Sequence, residues 1–129
     1  MILGLDPSLR NFGWTLIRDD GHFLDKGTMK TDTKTMFVQR YTTLREGLRE
    51  IVQKVRADHP NEILRVGIES PIFNDLYSEG MYGLFLYSNE ALMLEKCDTV
   101  YLSPNQVKAH ASAFLNRPKG WKMGKGDMV

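Results

Sequence analysis

This sequence has almost no cysteine, almost no net charge and no long apolar run. Its 129 residues include one cysteine, Cys97. A lone cysteine allows no intramolecular disulfide, so nothing here calls for an oxidising compartment, and a buried, idle thiol is its expected role. The formal net charge is +1, so the whole-chain average does not announce a nucleic-acid partner. No apolar stretch approaches the roughly 20 residues of a membrane helix, and no basic segment leads an apolar one at the start. The expectation is a cytoplasmic protein without a membrane partner. His22, His59 and His110 lie far apart and lack the spacing of a metal-binding pair, which assigns them to surfaces and turns. There is no internal repeat and no low-complexity segment.

What is present is an ordinary globular composition, 42% apolar and 26% charged, on a chain long enough for one domain. Charge is unevenly distributed. Lys108, Arg117, Lys119, Lys122 and Lys125 face a single acid, Asp127, in the last fifth of the chain. Local charge, not the average, is what a phosphate backbone feels.

The pattern of elements is readable. Met1 to Asp6 is a short apolar strand. Phe12 to Arg18 and His22 to Met29 are two more strands, joined by the turn Asp19-Asp20-Gly21-His22 into an antiparallel meander. Phe37, Tyr41, Leu44, Leu48, Ile51 and Val55 recur every three or four residues, which is one stripe of a helix. Arg40, Arg45, Glu46, Arg49, Glu50 and Lys54 then point mostly outward, and Pro60 forces the end. Residues 63 to 70 read as a strand, 80 to 96 as a helix and 99 to 103 as a last strand. Ser103 then caps a final helix with Pro104 in its first position. This order predicts a mixed α/β sheet, a three-strand meander extended by parallel strands, flanked by helices.

Two of the strands end on a carboxylate. Asp6 closes the first and Glu69 the one after the long helix, each followed closely by a proline. A right-handed crossover would set these strands side by side and parallel, about 4.8 Å apart. The two acids would then meet at the sheet edge where open α/β sheets bind ligands. Two anions so close repel unless a cation lies between them. Carboxylate oxygens suit Mg²⁺ or Mn²⁺, and such a site suits phosphoryl-transfer chemistry. The plain alternative is that each acid merely caps a turn.

The residues quoted so far resemble the RuvC-type Holliday junction resolvases of the RNase H-like superfamily, and among them the smaller phage-type members. Asp6-Pro7, Arg10 and Gly13 match the family's opening motif, and Val66-Gly67-Ile68-Glu69-Ser70 matches its glutamate strand. Residues 105 to 114 look like its Gln-Val-Lys helix, and residues 124 to 129 like the basic loop that follows. The resemblance spans nearly the whole chain. It implies an RNase H-like fold with a five-stranded mixed sheet and metal-dependent hydrolysis at branched DNA, leaving 5′-phosphate and 3′-hydroxyl ends. Asp6 and Glu69 would be two of four metal-binding acids, with Mg²⁺ or Mn²⁺ as the ion. Lys125 would stabilise the transition-state phosphate and Lys108 would contact the backbone. Arg10, Lys119 and Lys122 join them as DNA contacts. Phe73, or Ile72 beside it, would serve as an apolar wedge at the junction centre. The resemblance further implies a homodimer through the helix at 81–94, whose apolar residues run around much of its circumference.

Two departures bear on this. Ser8 stands where the family has glycine, so a looser turn after Asp6 is expected. The family's last two acids lie on a helix beyond the basic loop, and this sequence stops at Val129, with Asp127 an expected helix cap. The expectation is a single nuclease domain over 1–129 without its last helix. A junction-binding module without catalysis is therefore the alternative. A second alternative, an actin-like ATPase, requires two such domains. Trp121, among lysines, either stacks on a base or packs its loop onto the core.

Overall fold

A computed structural model of the chain describes residues 1–69 and 79–102. In chain order the elements are β1 (Ile2–Asp6), β2 (Asn11–Ile17), β3 (Phe23–Lys30), α1 (Phe37–Asp58), β4 (Arg65–Glu69), α2 (Glu79–Leu94) and β5 (Asp98–Leu102). The expected elements are all present within these residues, with ends moved by a residue or two. The helix expected from Ser103 lies outside the described residues.

The strands form one sheet in the order β3-β2-β1-β4-β5. β1 is antiparallel to β2 and β2 to β3, while β1 and β4, and β4 and β5, are parallel. Each parallel pair is joined by a helical crossover, α1 or α2, as parallel neighbours require. This is the mixed sheet that the sequence predicts.

Alternation along the strands divides the sheet into two faces. Leu3, Leu5, Phe12, Leu16, Val66 and Ile68 are buried on one of them. They form a core with Tyr41, Leu44, Leu48, Val52 and Val55 of α1 and Leu84, Ala91 and Leu92 of α2. β3 joins this face through Met29, whose sulfur lies so close to Gly47 of α1 that a Cβ there would sit 2.8 Å from it.

α1 differs from its expected stripe at three places. Val52, not Ile51, is the buried residue of its turn. Phe37, in the first turn, is 55% exposed. Arg40, expected to point outward, is buried and donates from Nε to the Thr31 hydroxyl at 2.9 Å. Its guanidinium also lies 5.8 Å from the Phe37 ring centroid. A long aliphatic stem and one well-placed acceptor are enough to bring an arginine inside. The thiol of Cys97 is only half-buried, and desolvation pushes its pKa up.

Strand direction places several features at one edge of the sheet. β1, β3, β4 and β5 all finish there, β2 starts there, and both helices begin there. This edge, called the upper edge below, carries the candidate site.

Candidate metal and nucleic-acid site

The register builds the site directly. Leu5 of β1 is level with Ile68 of β4, so the next residues along these parallel strands are Asp6 and Glu69. They share one face of the sheet and sit on neighbouring strands, about 4.8 Å apart along the hydrogen-bonding direction. The face is the one opposite the helical core, because Leu5 and Ile68 between them are buried in that core. Gly13 of β2 flanks Asp6 and Leu102 of β5 flanks Glu69 in the same row. Below them, Gly4 pairs with Gly67 and leaves the sheet low. The result is a depression of about 200 Å³, lined mainly by apolar groups, with the two carboxyl residues at one end. Both acids are partly exposed, and both have interaction partners.

The turn that follows Asp6 is held from three directions. Pro7 is buried. The backbone N–H of Asn11 donates to the Ser8 hydroxyl at 3.4 Å. The Thr31 hydroxyl donates to the Leu9 carbonyl and in turn accepts from Arg40. Thr31 N–H also donates to the Arg10 carbonyl at 3.4 Å, extending the β2–β3 ladder into the loop. Ser8 is not in the left-handed region; among the described residues Lys96 is the only non-glycine there. The turn therefore has no conformational need for the glycine that Ser8 replaces, and its hydroxyl contributes a bond that glycine could not.

α2 is held at the same edge. The Tyr41 hydroxyl of α1 donates to the Gly80 carbonyl at 2.8 Å, and Tyr41 stacks against Phe37 and Tyr87. A Cβ on Gly80 would lie 3.1 Å from Leu9, so the turn after Asp6 touches the first turn of α2. Burial pushes the pKa of the Tyr41 phenol up from its ordinary value.

The donor set fits a hard divalent cation. Among the described residues no cluster of three or more His, Cys, Asp or Glu exists, so a cation at this edge would have the carboxylates of Asp6 and Glu69 as its protein ligands there. Mg²⁺ is commonly held by one or two carboxylates, with waters and substrate phosphate oxygens completing its shell. Two acids from adjacent strands meet that requirement without a nitrogen or sulfur ligand.

Of the expected DNA contacts, Arg10 lies in the turn after Asp6 and is exposed. Phe73, Ile72, Lys108, Lys119, Lys122, Lys125, Trp121 and Asp127 lie outside the described residues. The sequence reading missed the Thr31–Arg40 tie behind the turn. It also missed that Lys26, Thr28 and Lys30 of β3 share the face of the two acids. Their spacing of two is the signal that could have shown it. His22 is exposed and pairs with Asp20 at 3.2 Å, and His59 caps the end of α1, both as expected. Among the described residues no helix is long and apolar enough to cross a membrane.

No family model matches the chain. Over 60 residues, 44% of its length, it is 37% identical to the crossover junction endodeoxyribonuclease RuvC of Rhizobium johnstonii, covering 36% of that protein. The RuvC of Ralstonia nicotianae matches at 37% over 60 residues and 33% of its length. The matched segment thus spans about a third of these relatives. In structure, Thermus thermophilus RuvC in complex with a Holliday junction substrate superposes with a TM-score of 0.67 at 12% identity. That match covers 98% of this chain and 84% of the other. A second Thermus thermophilus RuvC structure gives a TM-score of 0.65 over 98% and 86%. The chain resembles RuvC-type resolvases in sequence, and its fold is RNase H-like.

Proposed function

We propose that this RuvC-like chain is the core of a structure-selective DNA endonuclease that cuts four-way or other branched junctions by divalent-metal-dependent hydrolysis. The observation that carries the reading is the register of β1 and β4, which sets Asp6 and Glu69 on adjacent strand ends and on the same face. Curated relatives with the RuvC name support the substrate class.

Asp6 and Glu69 hold the ion, Mg²⁺ or Mn²⁺. Bound there, it supplies charge neutralisation at the scissile phosphate and activation of the attacking water. The protein's own contribution is positional. Core packing of Leu5 and Ile68 fixes both strand ends, and the bonds through Ser8, Thr31 and Arg40 fix the turn that carries Arg10 toward the phosphate backbone. On the resemblance, Lys125 stabilises the phosphate at reaction. Lys108, Lys119 and Lys122 contact the backbone, and Phe73 wedges the junction centre.

The chain acts as a homodimer through α2 in this reading. α2 buries Leu84, Ser88, Ala91 and Leu92 against the core, yet Leu86 and Met93 are 65% and 75% exposed. Leu86 and Met93 are seven residues apart on α2, and exposed apolar side chains of this kind suit a protein–protein interface. The cytoplasm, of a bacterium or of a phage-infected host, is the location that goes with the single cysteine. The unit is one nuclease domain over 1–129.

A labelled four-way junction tests the proposal. With Mg²⁺ the chain is expected to introduce nicks near the crossover, and with Ca²⁺ to bind without cutting. Binding without cutting in both ions would favour the non-catalytic module, since no third acid joins Asp6 and Glu69 at this site among the described residues. No binding in either ion would reject junction recognition altogether.

A further inference from the structure

The basic residues at 108–125 are expected on the DNA, and a second group of cations lies on the β3 side of the two acids, on the same face of the sheet. In β3, Gly27 and Met29 face the helical layer: a Cβ on Gly27 would meet the Trp14 ring at 2.6 Å, and Met29 packs on Gly47. Lys26, Thr28 and Lys30 alternate with them and are exposed on the other face, in register with Thr15, Gly13 and Asn11 of β2. Gly13 is in turn level with Asp6. Lys26 and Lys30 therefore stand on the same face as Asp6 and Glu69, two strands away and two residues to either side of the row of Asp6, about 12 Å from it. Lys34 follows in the loop from β3 to α1, exposed at the upper edge, and Arg10 lies between this loop and Asp6.

Pairing separates these cations from the arginines at the opposite edge and between the helices, although Lys54 and Lys96 are likewise in no ion pair among the described residues. At the opposite edge Arg18 pairs with Glu62 at 3.3 Å and Arg65 lies 3.9 Å from Asp98. Between the helices, Arg45 and Arg49 pair with Glu46, Glu90 and Glu95. Among the described residues none of Arg10, Lys26, Lys30 and Lys34 takes part in an ion pair. The one acid in their loop, Asp32, accepts from the backbone N–H of Lys34 at 2.9 Å and so serves the turn.

We propose that Lys26, Lys30 and Lys34 form a phosphate-binding track that holds a duplex arm of the DNA on the β3 side of the two acids. The proposal rests on the nuclease reading above and adds where one arm lies. Lys26 and Lys30 are four strand residues apart, about 13 Å, which matches roughly four base-pair rises measured along the duplex axis. Exposed lysines without a carboxylate partner on a sheet face are suited to point-charge contact with successive phosphates. The track carries no hydrogen-bond pattern for base edges, so it positions the duplex without reading its sequence.

Salt dependence of binding measures it. Junction binding by the 129-residue chain is followed in Ca²⁺ over a range of salt, beside the triple variant Lys26→Gln/Lys30→Gln/Lys34→Gln, the single variant Lys30→Gln, and Lys54→Gln on the far part of α1. Each lost phosphate contact lowers the slope of log K against log salt by about 0.9, so the triple variant is expected to lose about 2.7 and Lys30→Gln about 0.9. Lys54→Gln is expected to leave the slope unchanged. A parent that binds junctions, with the triple and single variants binding on the same slope, overturns the track and leaves the nuclease reading standing. An equal loss in Lys54→Gln also overturns it, since the effect would then be one of net charge. A parent that binds no junction overturns both.

Discussion

At the scale of single residues, the site depends on side chains that never touch substrate. Thr31 is the clearest case, because one hydroxyl joins the carbonyl of Leu9 to the guanidinium of buried Arg40. Replacing it with valine keeps the shape and leaves both partners short of a bond. We expect Thr31→Val to lower stability by about 1–3 kcal/mol, the cost of unsatisfied buried polar groups, and to weaken junction cleavage more than junction binding. Thermal denaturation and a cleavage assay at saturating protein check the two parts. Glu95 behaves differently. It accepts from Gln53 at 2.6 Å and from Arg49 at 3.1 Å, and these bonds hold its pKa below the ordinary carboxylate value. A carboxylate with a depressed folded-state pKa adds stability above its unfolded pKa, and that stability is lost as pH falls through the folded value. Glu95→Gln should therefore flatten the acid limb of a stability-against-pH curve, measured by urea denaturation from neutral pH down to about 3, while the parent loses stability over that range.

At the scale of elements, α1 is the long lever that sets β4 beside β1, yet its start is poorly secured. Met36 occupies the cap position with extended backbone, makes no side-chain capping bond and is 71% exposed, and no acid lies in the first turn. Serine fits that backbone and would accept from a first-turn N–H. Met36→Ser should raise stability by about 1 kcal/mol without altering the core, read as a higher denaturation midpoint at unchanged slope. The periodicity of α1 and the apolar runs of the strands were visible in the sequence because burial repeats with the geometry of each element. Arg40 was not, since its inward turn depends on Thr31, nine residues away and in a different element. Nor was the half-burial of Cys97, which follows from the packing of Arg56 against the end of α2, with its guanidinium 3.8 Å from the thiol. The pairing of Asp6 with Glu69 was legible only because β1 and β4 are parallel neighbours, and crossover handedness predicts that placement from the order of elements alone. The shared face of Lys26 and Lys30 was equally available from alternation, but the direction of that face is decided by Met29 and Gly27 packing inward.

At the scale of the whole molecule, charge among the described residues sorts along one axis. The edge where β1 and β4 end gathers two carboxylates and a set of cations that take no part in ion pairs among the described residues. The opposite edge holds Asp19, Asp20 and Glu62 with paired arginines. A metal at the upper edge would cancel its acids and leave that edge basic, which suits a polyanion. The claim underneath is that Asp6 and Glu69 bind one ion together, and paramagnetic broadening by Mn²⁺ in a ¹H–¹⁵N spectrum of the chain reads this most directly. The account predicts that amides of Asp6, Gly13 and Glu69 broaden first, and that Asp6→Asn and Glu69→Gln each abolish the effect at both strand ends. Broadening centred on Asp19, Asp20 and Glu62, or unchanged in either variant, would contradict it.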